Sequence, residues 1–465
     1  MPVVTEPSSP LLPASSAWRS FLRGHAVLGG SLFAGLGLLH AATGTAIVPT
    51  AILSGLLLLL TGVVLHESGV LRGGDAGGFA FVEEQLGPAA ALAARSALLL
   101  DLVVGTAILA AVSTAHANTF LPELLGFDAG HLTVGVGEDR LEWFWAVETL
   151  LLVLSLVLLE TRPVRERSRL RETAGLLSFG ALCLLIVAGF AWVWDGRVVT
   201  GSFTLLPRLW RNAAFGPAVA LLVFLGLETI VTDAADAPGS AGRPRAGFLP
   251  LLLSASLIVV ALALLVHSRS DPGFTPTVGS ETPLVTLAGR MPFGAGAASF
   301  GIAALACVVL FFSAEALFTA AARLLSFSGV RTPAHVLLAA ALVLGSLGVA
   351  FFLPAHDPLQ ALAGLFSFGV CGAYGLQACA LVRARLTGGA IPHGRPPLDL
   401  PVAVPGLPGT LSLAGAGAAV GLFGVLVLVL ATHPLARWVG PVAVAAVSLF
   451  AALGRGRARR GTESA

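Results

Sequence analysis

The chain has 465 residues, of which 56% are hydrophobic and only 11% are charged, and its formal net charge is +2. Soluble domains carry roughly 25% charged residues, so this composition excludes a soluble globular protein. The apolar residues form long, nearly charge-free blocks, and about 20 apolar residues span a bilayer as a helix. A membrane-spanning β-barrel would instead show short segments of alternating hydrophobicity. We therefore predict an all-α integral membrane protein.

Taken in chain order, the apolar blocks predict about twelve transmembrane helices. Their expected bounds are 25–46, 48–66, 90–113, 141–160, 173–194, 212–232, 247–267, 296–326, 333–353, 357–384, 409–431 and 437–454. We expect short helices in the connections 114–140 and 268–295, and we expect no soluble domain. An even number of spans places both chain ends on the same face of the membrane.

Arginine decides the orientation, because the chain contains no lysine. Nineteen arginines fall on the face of the chain ends, against seven on the other face. The positive-inside rule then places both termini in the cytoplasm of a multi-pass protein of the cell membrane. Six of the seven tryptophans fall at helix ends assigned to the outer face, where interfacial indole rings concentrate.

The predicted organisation is a cytoplasmic N-terminal tail (1–24), a single transmembrane domain (25–454) and a basic cytoplasmic C-terminal tail (455–465). The four cysteines lie within apolar blocks, so we interpret them as core residues and expect neither disulfides nor metal ligands. We see no cleavable signal sequence and expect the first span to direct membrane insertion.

A glycine pair marks the first span, which contains Gly29, Gly30 and Ser31. Adjacent glycines each weaken a helix by about 1 kcal/mol. In a transporter, such a segment unwinds and presents free N–H groups to an anion. Close helix packing is the alternative explanation, since small residues concentrate at helix contacts in membranes.

Charged side chains inside a membrane are rare and usually functional. Glu228, beside a glycine in the sixth span, is the first candidate for binding a proton or the substrate. Glu315 in the eighth span and Asp101 in the third are further candidates for ion coupling, with structural roles about equally expected. Glu148 lies two turns from the outer end of the fourth span, and this position favours a structural role. Tyr374, the only tyrosine, either reaches a central cavity or packs between helices.

Four groups of residues, in register along the first ten spans, resemble one known family. They are GGSLF at 29–33, DAGGFAFV at 75–82 with LG at 86–87, GLETIVT at 226–232 with Pro238 and RPRA at 243–246, and AAAR at 320–323 with TP at 332–333. In this order they resemble signatures of the amino acid permeases in the amino acid–polyamine–organocation superfamily.

This resemblance implies a fold of two inverted five-helix repeats, spans 1–5 (25–194) and 6–10 (212–384), with two peripheral spans (409–454). It implies breaks in the first and sixth spans, with the substrate between them. The first break would hold the substrate carboxylate, and the segment 224–228 would face its amino group and side chain. With Tyr374 included, the expected substrate-binding residues are Gly29, Gly30, Ser31, Phe33, Phe224, Gly226, Glu228 and Tyr374.

Three departures from the family pattern concern the approach to the substrate backbone site and the coupling of transport to an ion. Ser31 replaces the third glycine of the first signature, and the fifth span lacks the lysine that substitutes for sodium in some proton-coupled relatives. Ser313 in the eighth span lacks the adjacent Ser/Thr residue of the usual sodium site. Two possibilities for coupling therefore remain: a carboxylate binds the coupling ion, or transport uses no coupling ion.

We therefore expect a secondary active transporter, not an enzyme, that moves amino acids or related small amines by alternating access, with proton coupling or by exchange. A potassium-like inorganic cation transporter using Asp101 is the alternative. A membrane enzyme or a non-transporting subunit is disfavoured, because no catalytic residue set is evident. The expected partners are a small-molecule substrate, protons, the lipid bilayer and a second copy of the chain, with no nucleic acid, cofactor or metal.

Overall fold

Helices form most of the secondary structure. The computed structural model describes residues 16–43, 46–72, 77–121, 124, 133–136, 139–162, 164–195, 221, 226–227, 248–268, 282–292, 294–325, 333–352, 358–388, 401–403, 405 and 408–463. The α-helices within these ranges are α1 (Ser16–Thr43), α2 (Ile47–Arg72), α3 (Gly77–Leu86), α4 (Pro88–Ala117), α5 (Trp143–Leu159), α6 (Val164–Ala188), α7 (Phe248–His267), α8 (Pro283–Gly289), α9 (Ala295–Leu325), α10 (Pro333–Phe352), α11 (Pro358–Leu386), α12 (Leu413–Thr432) and α13 (Pro434–Glu463). A π-helical turn, Gly189–Val193, continues α6.

Proline fixes where several of these helices begin. The first residues of α4, α8, α10, α11 and α13 are Pro88, Pro283, Pro333, Pro358 and Pro434. Proline has no N–H to donate, and the first helical residue has no partner for one within the helix. These boundaries therefore follow directly from the sequence.

Two short antiparallel hairpins lie in the connections. The strands are β1 (Thr133–Val136) with β2 (Asp139–Glu142), and β3 (Pro401–Ala403) with β4 (Thr410–Ser412). Of the two connections expected to hold short helices, 268–295 contains α8, as predicted. The described part of 114–140 contains strand β1 and the start of β2.

The observed helices agree closely with the predicted spans. Within the described residues, nine helices are long and apolar enough to cross a membrane, and two shorter apolar helices are Ala146–Leu159 and Pro434–Leu449. These eleven coincide, in order, with every predicted span except the sixth. Of 212–232, only Leu221, Gly226 and Leu227 are described. The all-α membrane architecture is confirmed, while the twelve-helix count and the inverted repeats stay predictions.

The interior is built around α1 and α4. In both helices 94% of the apolar span is buried within the protein, compared with 28% in α12. Helix α4 packs along α9 and α11, whereas α1 packs along α6 and α9. Helix α12 lies at the edge against α11 and α2.

The predicted break in the first span is not present in this conformation, in which α1 is helical without interruption through Gly29, Gly30 and Ser31. Packing explains the glycines instead. A methyl group on Gly29 would overlap the Ser178 hydroxyl of α6, and one on Gly30 would overlap the Ser313 hydroxyl of α9. The glycine pair therefore allows three helices to approach closely, which was the alternative explanation of the same residues.

In the sixth predicted span, the described glycine, Gly226, does not have a helical backbone conformation. Gly226 has a φ of 84°, a left-handed conformation that a right-handed α-helix does not contain. Gly226 and the next residue, Leu227, are both buried. A continuous α-helix therefore does not pass through this point of the protein interior.

Two glycines of α6 provide a test of its close packing on α1. In Gly175→Ala the new methyl group would overlap the carbonyl oxygen of Leu22, whereas in Gly180→Ala it meets nothing within 4 Å. We expect Gly175→Ala to lower the free energy of unfolding by about 1–3 kcal/mol, as overpacking does. Gly180→Ala should raise it slightly, because alanine is favoured over glycine inside helices. Thermal unfolding in one detergent measures both variants, and equal stabilities would contradict the close approach.

Candidate functional site

Helices α1, α6 and α9 meet at the glycine pair of α1. The Ser313 hydroxyl lies 2.7 Å from the carbonyl oxygen of Ala26 and 3.1 Å from that of Val27. Within α1, these two carbonyls are the regular acceptors for the N–H groups of Gly30 and Ser31. Because a carbonyl oxygen has two lone pairs, Ser313 offers this turn of α1 a second donor from outside the helix.

The other two candidates on α1 are packed inside the protein. The Ser31 hydroxyl donates to the carbonyl oxygen of Leu28 at 2.6 Å. The Phe33 ring is 1% exposed and meets the His116 ring of α4 edge-on, with 6.2 Å between centroids. Both side chains therefore contact protein in this conformation.

Asp101 and Tyr374 lie on the two helices α4 and α11, and each is 1% exposed. Their helices approach closely at Gly369, where an added Cβ would be 2.8 Å from both the backbone nitrogen of Asp101 and the carbonyl oxygen of Ala97. The structure thus brings these two candidates to neighbouring, tightly packed helices.

Of the candidates in the sixth predicted span, the structure describes only Gly226. Phe224 and Glu228 lie outside the described residues. Their expected contacts with the substrate stay predictions.

Glu315 is the centre of a buried ion network. Arg167 donates to one of its carboxylate oxygens at 3.0 Å, and Arg171 donates to the other at 2.5 Å. Arg167 also donates to Glu160 at 2.7 Å, and the Thr319 hydroxyl bonds to both carboxylates. The side chains of Glu315 and Arg167 are 0% and 5% exposed. Two guanidinium groups thus face two carboxylates, and the charges of these four groups balance.

This network joins α5, α6 and α9 at the membrane face where α1 begins, which we call the N-terminal face. At its edge, Arg23 of α1 pairs with Glu172 of α6 at 2.5 Å. An unpaired charge buried in protein is strongly unfavourable, and here two guanidinium groups lie against the Glu315 carboxylate. The geometry therefore favours a structural role for Glu315 over ion coupling.

The network includes two arginines that precede the predicted fifth span (173–194). Arg167 and Arg171 are four residues apart, a spacing that places both on one face of a helix. Glu315, buried in an apolar span, requires cationic partners. Both signals are present in the sequence, but the separation of more than 140 residues hides the pairing.

A second buried ion pair closes the same face between α2 and α11. The guanidinium of Arg385 donates to Glu67 at 3.1 Å, with side-chain exposures of 5% and 1%. Glu67 is the first residue after the predicted second span (48–66), but α2 continues to Arg72. The pair therefore lies within the helical bundle.

Within the described ranges, no group of three or more His, Cys, Asp or Glu side chains is arranged to hold a metal ion. The cysteines Cys183, Cys307, Cys371 and Cys379 are all free thiols. Cys371 is buried and the others are half-buried, as expected for small core residues.

Comparison with protein families gives a match over most of the chain. The family model described as amino acid permease matches residues 20–451. The match runs from the first turns of α1 into α13, and it confirms the resemblance drawn from the four motif groups. A comparison with curated proteins gives no match.

Removing the charge of Glu315 tests the ion network. In Glu315→Gln, two buried guanidinium groups would face one carboxylate, and we expect the free energy of unfolding to fall by about 3–5 kcal/mol. Arg169→Gln removes an exposed charge from the same stretch of α6 and should change it by less than about 1 kcal/mol. The double variant Glu315→Gln/Arg171→Gln restores charge balance and should recover part of the loss. Denaturant unfolding of these three variants and of Arg171→Gln alone measures these differences, and additive losses in the double variant would contradict a coupled network.

Proposed function

Because the chain belongs to the amino acid permease family, we propose that it is a secondary active transporter that moves amino acids or related small amines by alternating access. Members of this family are transporters, so the chain is a transporter and not an enzyme. The observation that carries the proposal is the family match over residues 20–451. Proton coupling or exchange and the choice of substrate form part of the proposal.

We place the substrate carboxylate at the backbone of Gly29, Gly30 and Ser31 when α1 opens at this turn. The contact of Ser313 supports this placement, since its hydroxyl already lies beside the carbonyls of Ala26 and Val27. If the N–H groups of Gly30 and Ser31 turn to a substrate, those carbonyls lose their helical donors. Ser313 would then satisfy one of them, which lowers the free energy of opening α1 inside the protein.

Phe33, Tyr374 and the segment 224–228 complete the proposed site. A carboxylate at Glu228 suits the ammonium group of an amino acid or amine, because charge-assisted hydrogen bonds are about twice as strong as neutral ones. The left-handed conformation of Gly226 supports a non-helical backbone beside it. Irregular backbone at membrane depth lines cavities in transporters.

The orientation and assembly also belong to the proposal. We place both termini in the cytoplasm of a cell-membrane protein, on the strength of the arginine distribution. The exposed side chains Trp438 and Val442 of α13, at 72% and 67% exposure, fit either lipid or a second copy of the chain. The domain limits 1–24, 25–454 and 455–465 are also part of the proposal.

A second candidate function is transport of an inorganic cation such as potassium. Its support is Asp101, a buried carboxylate in a helix packed tightly on α11. A dehydrated cation would need this carboxylate together with backbone carbonyl oxygens.

Uptake into proteoliposomes distinguishes the two functions. We expect radiolabelled amino acids or amines, supplied as a panel, to accumulate inside, and rubidium, used as a tracer for potassium, not to accumulate. In Glu228→Gln the apparent affinity for the transported amine should fall by about tenfold to a hundredfold, the loss of a charged hydrogen bond. Accumulation of rubidium alone would refute the amino acid proposal.

Ser313→Ala tests the proposed opening of α1. We expect slower uptake at saturating substrate, because one carbonyl of α1 loses its alternative donor when the helix opens. Ser346→Ala is a matched control, since Ser346 donates only within α10, to Leu342 at 2.9 Å. Initial uptake rates of equal amounts of both variants measure the difference. Equal rates would show that Ser313 serves packing alone.

A further inference from the structure

Glu148 is a carboxyl group that neither the ion network nor the proposed substrate site uses. It lies in the second turn of α5, and Glu160 of the ion network follows the far end of that helix. Both carboxylate oxygens of Glu148 are buried, and neither makes a hydrogen bond within the described part of the chain. The adjacent Val147 and the following Leu151 are 49% and 55% exposed, as lipid-facing residues are. Glu148 therefore turns its oxygens inward from the edge of the lipid-facing surface.

Polar groups from two other helices surround this carboxyl without neutralising it. The side-chain amide of Asn118, at the C-terminal end of α4, lies against Glu148, and an amide carries no charge that could balance a carboxylate. The thiol of Cys307 on α9 lies close enough to Glu148 to interact with it electrostatically. The same thiol donates to the carbonyl oxygen of Ser113 at 3.5 Å. The site thus lies where α4, α5 and α9 meet.

The titratable groups on neighbouring helices do not balance the charge either. His116 of α4 is engaged with its own helix, its Nδ1 lying 2.9 Å from the carbonyl oxygen of Val112. His335, the titratable residue of α10, lies in the first turn of that helix, at the N-terminal face. The side chains of β2, which precedes α5, are outside those described. Among described residues, no arginine pairs with Glu148.

An ionised carboxylate whose oxygens are shielded from water and have no cation beside them is unfavourable. Protonation removes the charge, and the neutral acid is far less costly to bury. A metal cation suits the site poorly, because hard cations take about six or more oxygen ligands and the described groups here are one carboxyl and one amide. We propose that Glu148 is a proton-binding site and that the proton it binds is the one coupled to transport. The coupling, unlike the proton binding, rests on the proposed function.

The transfer itself is simple. When water reaches the carboxylate, hydronium gives its proton to Glu148 and leaves as water, and the reverse step releases the proton. The change of charge acts on the contact between α5 and α9, because Cys307 of α9 faces Glu148. Ser313, on the same helix less than two turns from Cys307, contacts the turn of α1 that we propose to open. The proton site and the substrate site are therefore joined by one helix.

Infrared spectroscopy of the reconstituted protein tests the site without any substrate. The C=O band of a protonated carboxyl group should be present at neutral pH, shift in heavy water and lose intensity in Glu148→Gln. The matched control is Glu83→Gln, which changes an exposed acid of α3 and should leave the band intact. A spectrum of Glu148→Gln unchanged from wild type would overturn the proposal. A band that disappears when sodium replaces N-methylglucamine would assign the site to a metal cation instead.

Stability provides a second measurement, because glutamine has the shape of a neutral carboxylic acid. Glu148→Gln should therefore unfold at the wild-type temperature, in contrast to Glu315→Gln. A large loss of stability, or failure to fold, would mean that the folded protein uses the negative charge of Glu148, which contradicts a protonated site.

Transport measurements separate this inference from the proposed function. For one proton per substrate, a pH difference of one unit supports accumulation of up to about tenfold. Glu148→Gln should lose this accumulation while retaining exchange of internal for external substrate, and full accumulation by the variant would refute coupling through Glu148. If wild-type protein transports none of the amino acids or amines, the proposed function fails, while the infrared result still decides whether Glu148 binds a proton.

Discussion

The arrangement of the helices depends on how the protein neutralises charge where water cannot. At the N-terminal face, two guanidinium groups and two carboxylates hold α5, α6 and α9 together, and Glu315 contacts both arginines. Removing water from such groups is costly, so the network is stable only with its full set of partners. Because it fixes α6 beside α9, the same two helices present Ser178 and Ser313 to the glycine pair of α1.

The two halves of the protein treat buried acids in opposite ways. Near the N-terminal face, Glu315, Glu160 and Glu67 are each paired with arginine. Towards the other face, Glu148 has no such partner among the described residues. Charges that stay paired hold their helices rigidly together. A carboxyl group that is neutral only while water is excluded changes its charge when its surroundings open. Helix α9 contributes residues to both regions, Glu315 to the ion network and Cys307 beside Glu148.

Hydrophobic patterning predicts much of this fold, and the limits of the prediction have physical causes. Spans are recognised because each must be apolar over its whole length, and eleven of them are found where they were expected. The role of the glycine pair of α1 is not predictable in this way, because unwinding and close packing require the same small residues. Only the partners Ser178 and Ser313, far along the chain, decide between them. Four matching motif groups identified the family, although they did not predict the conformation of α1.

The candidate site was predicted less completely than the fold. Single residues such as Asp101 and Glu315 were recognised as buried acids, but a sequence does not reveal which cation reaches which carboxylate. Arg167 and Arg171 belong to the arginines that orient the protein in the membrane, yet Arg167 is buried and Arg171 is partly buried beside Glu315. Glu148 was expected to have a structural role because it lies near a helix end, yet its oxygens turn away from solvent.

The exclusive use of arginine in the buried network has a consequence for the transport cycle. A guanidinium group stays protonated throughout the physiological pH range, whereas a buried lysine readily becomes neutral. No change of pH therefore loosens these contacts from the cationic side, and the charges separate only when the helices are pulled apart. In the alternating-access cycle that we propose, opening the N-terminal face would require these charges to separate, and a change of pH would not help it from the cationic side.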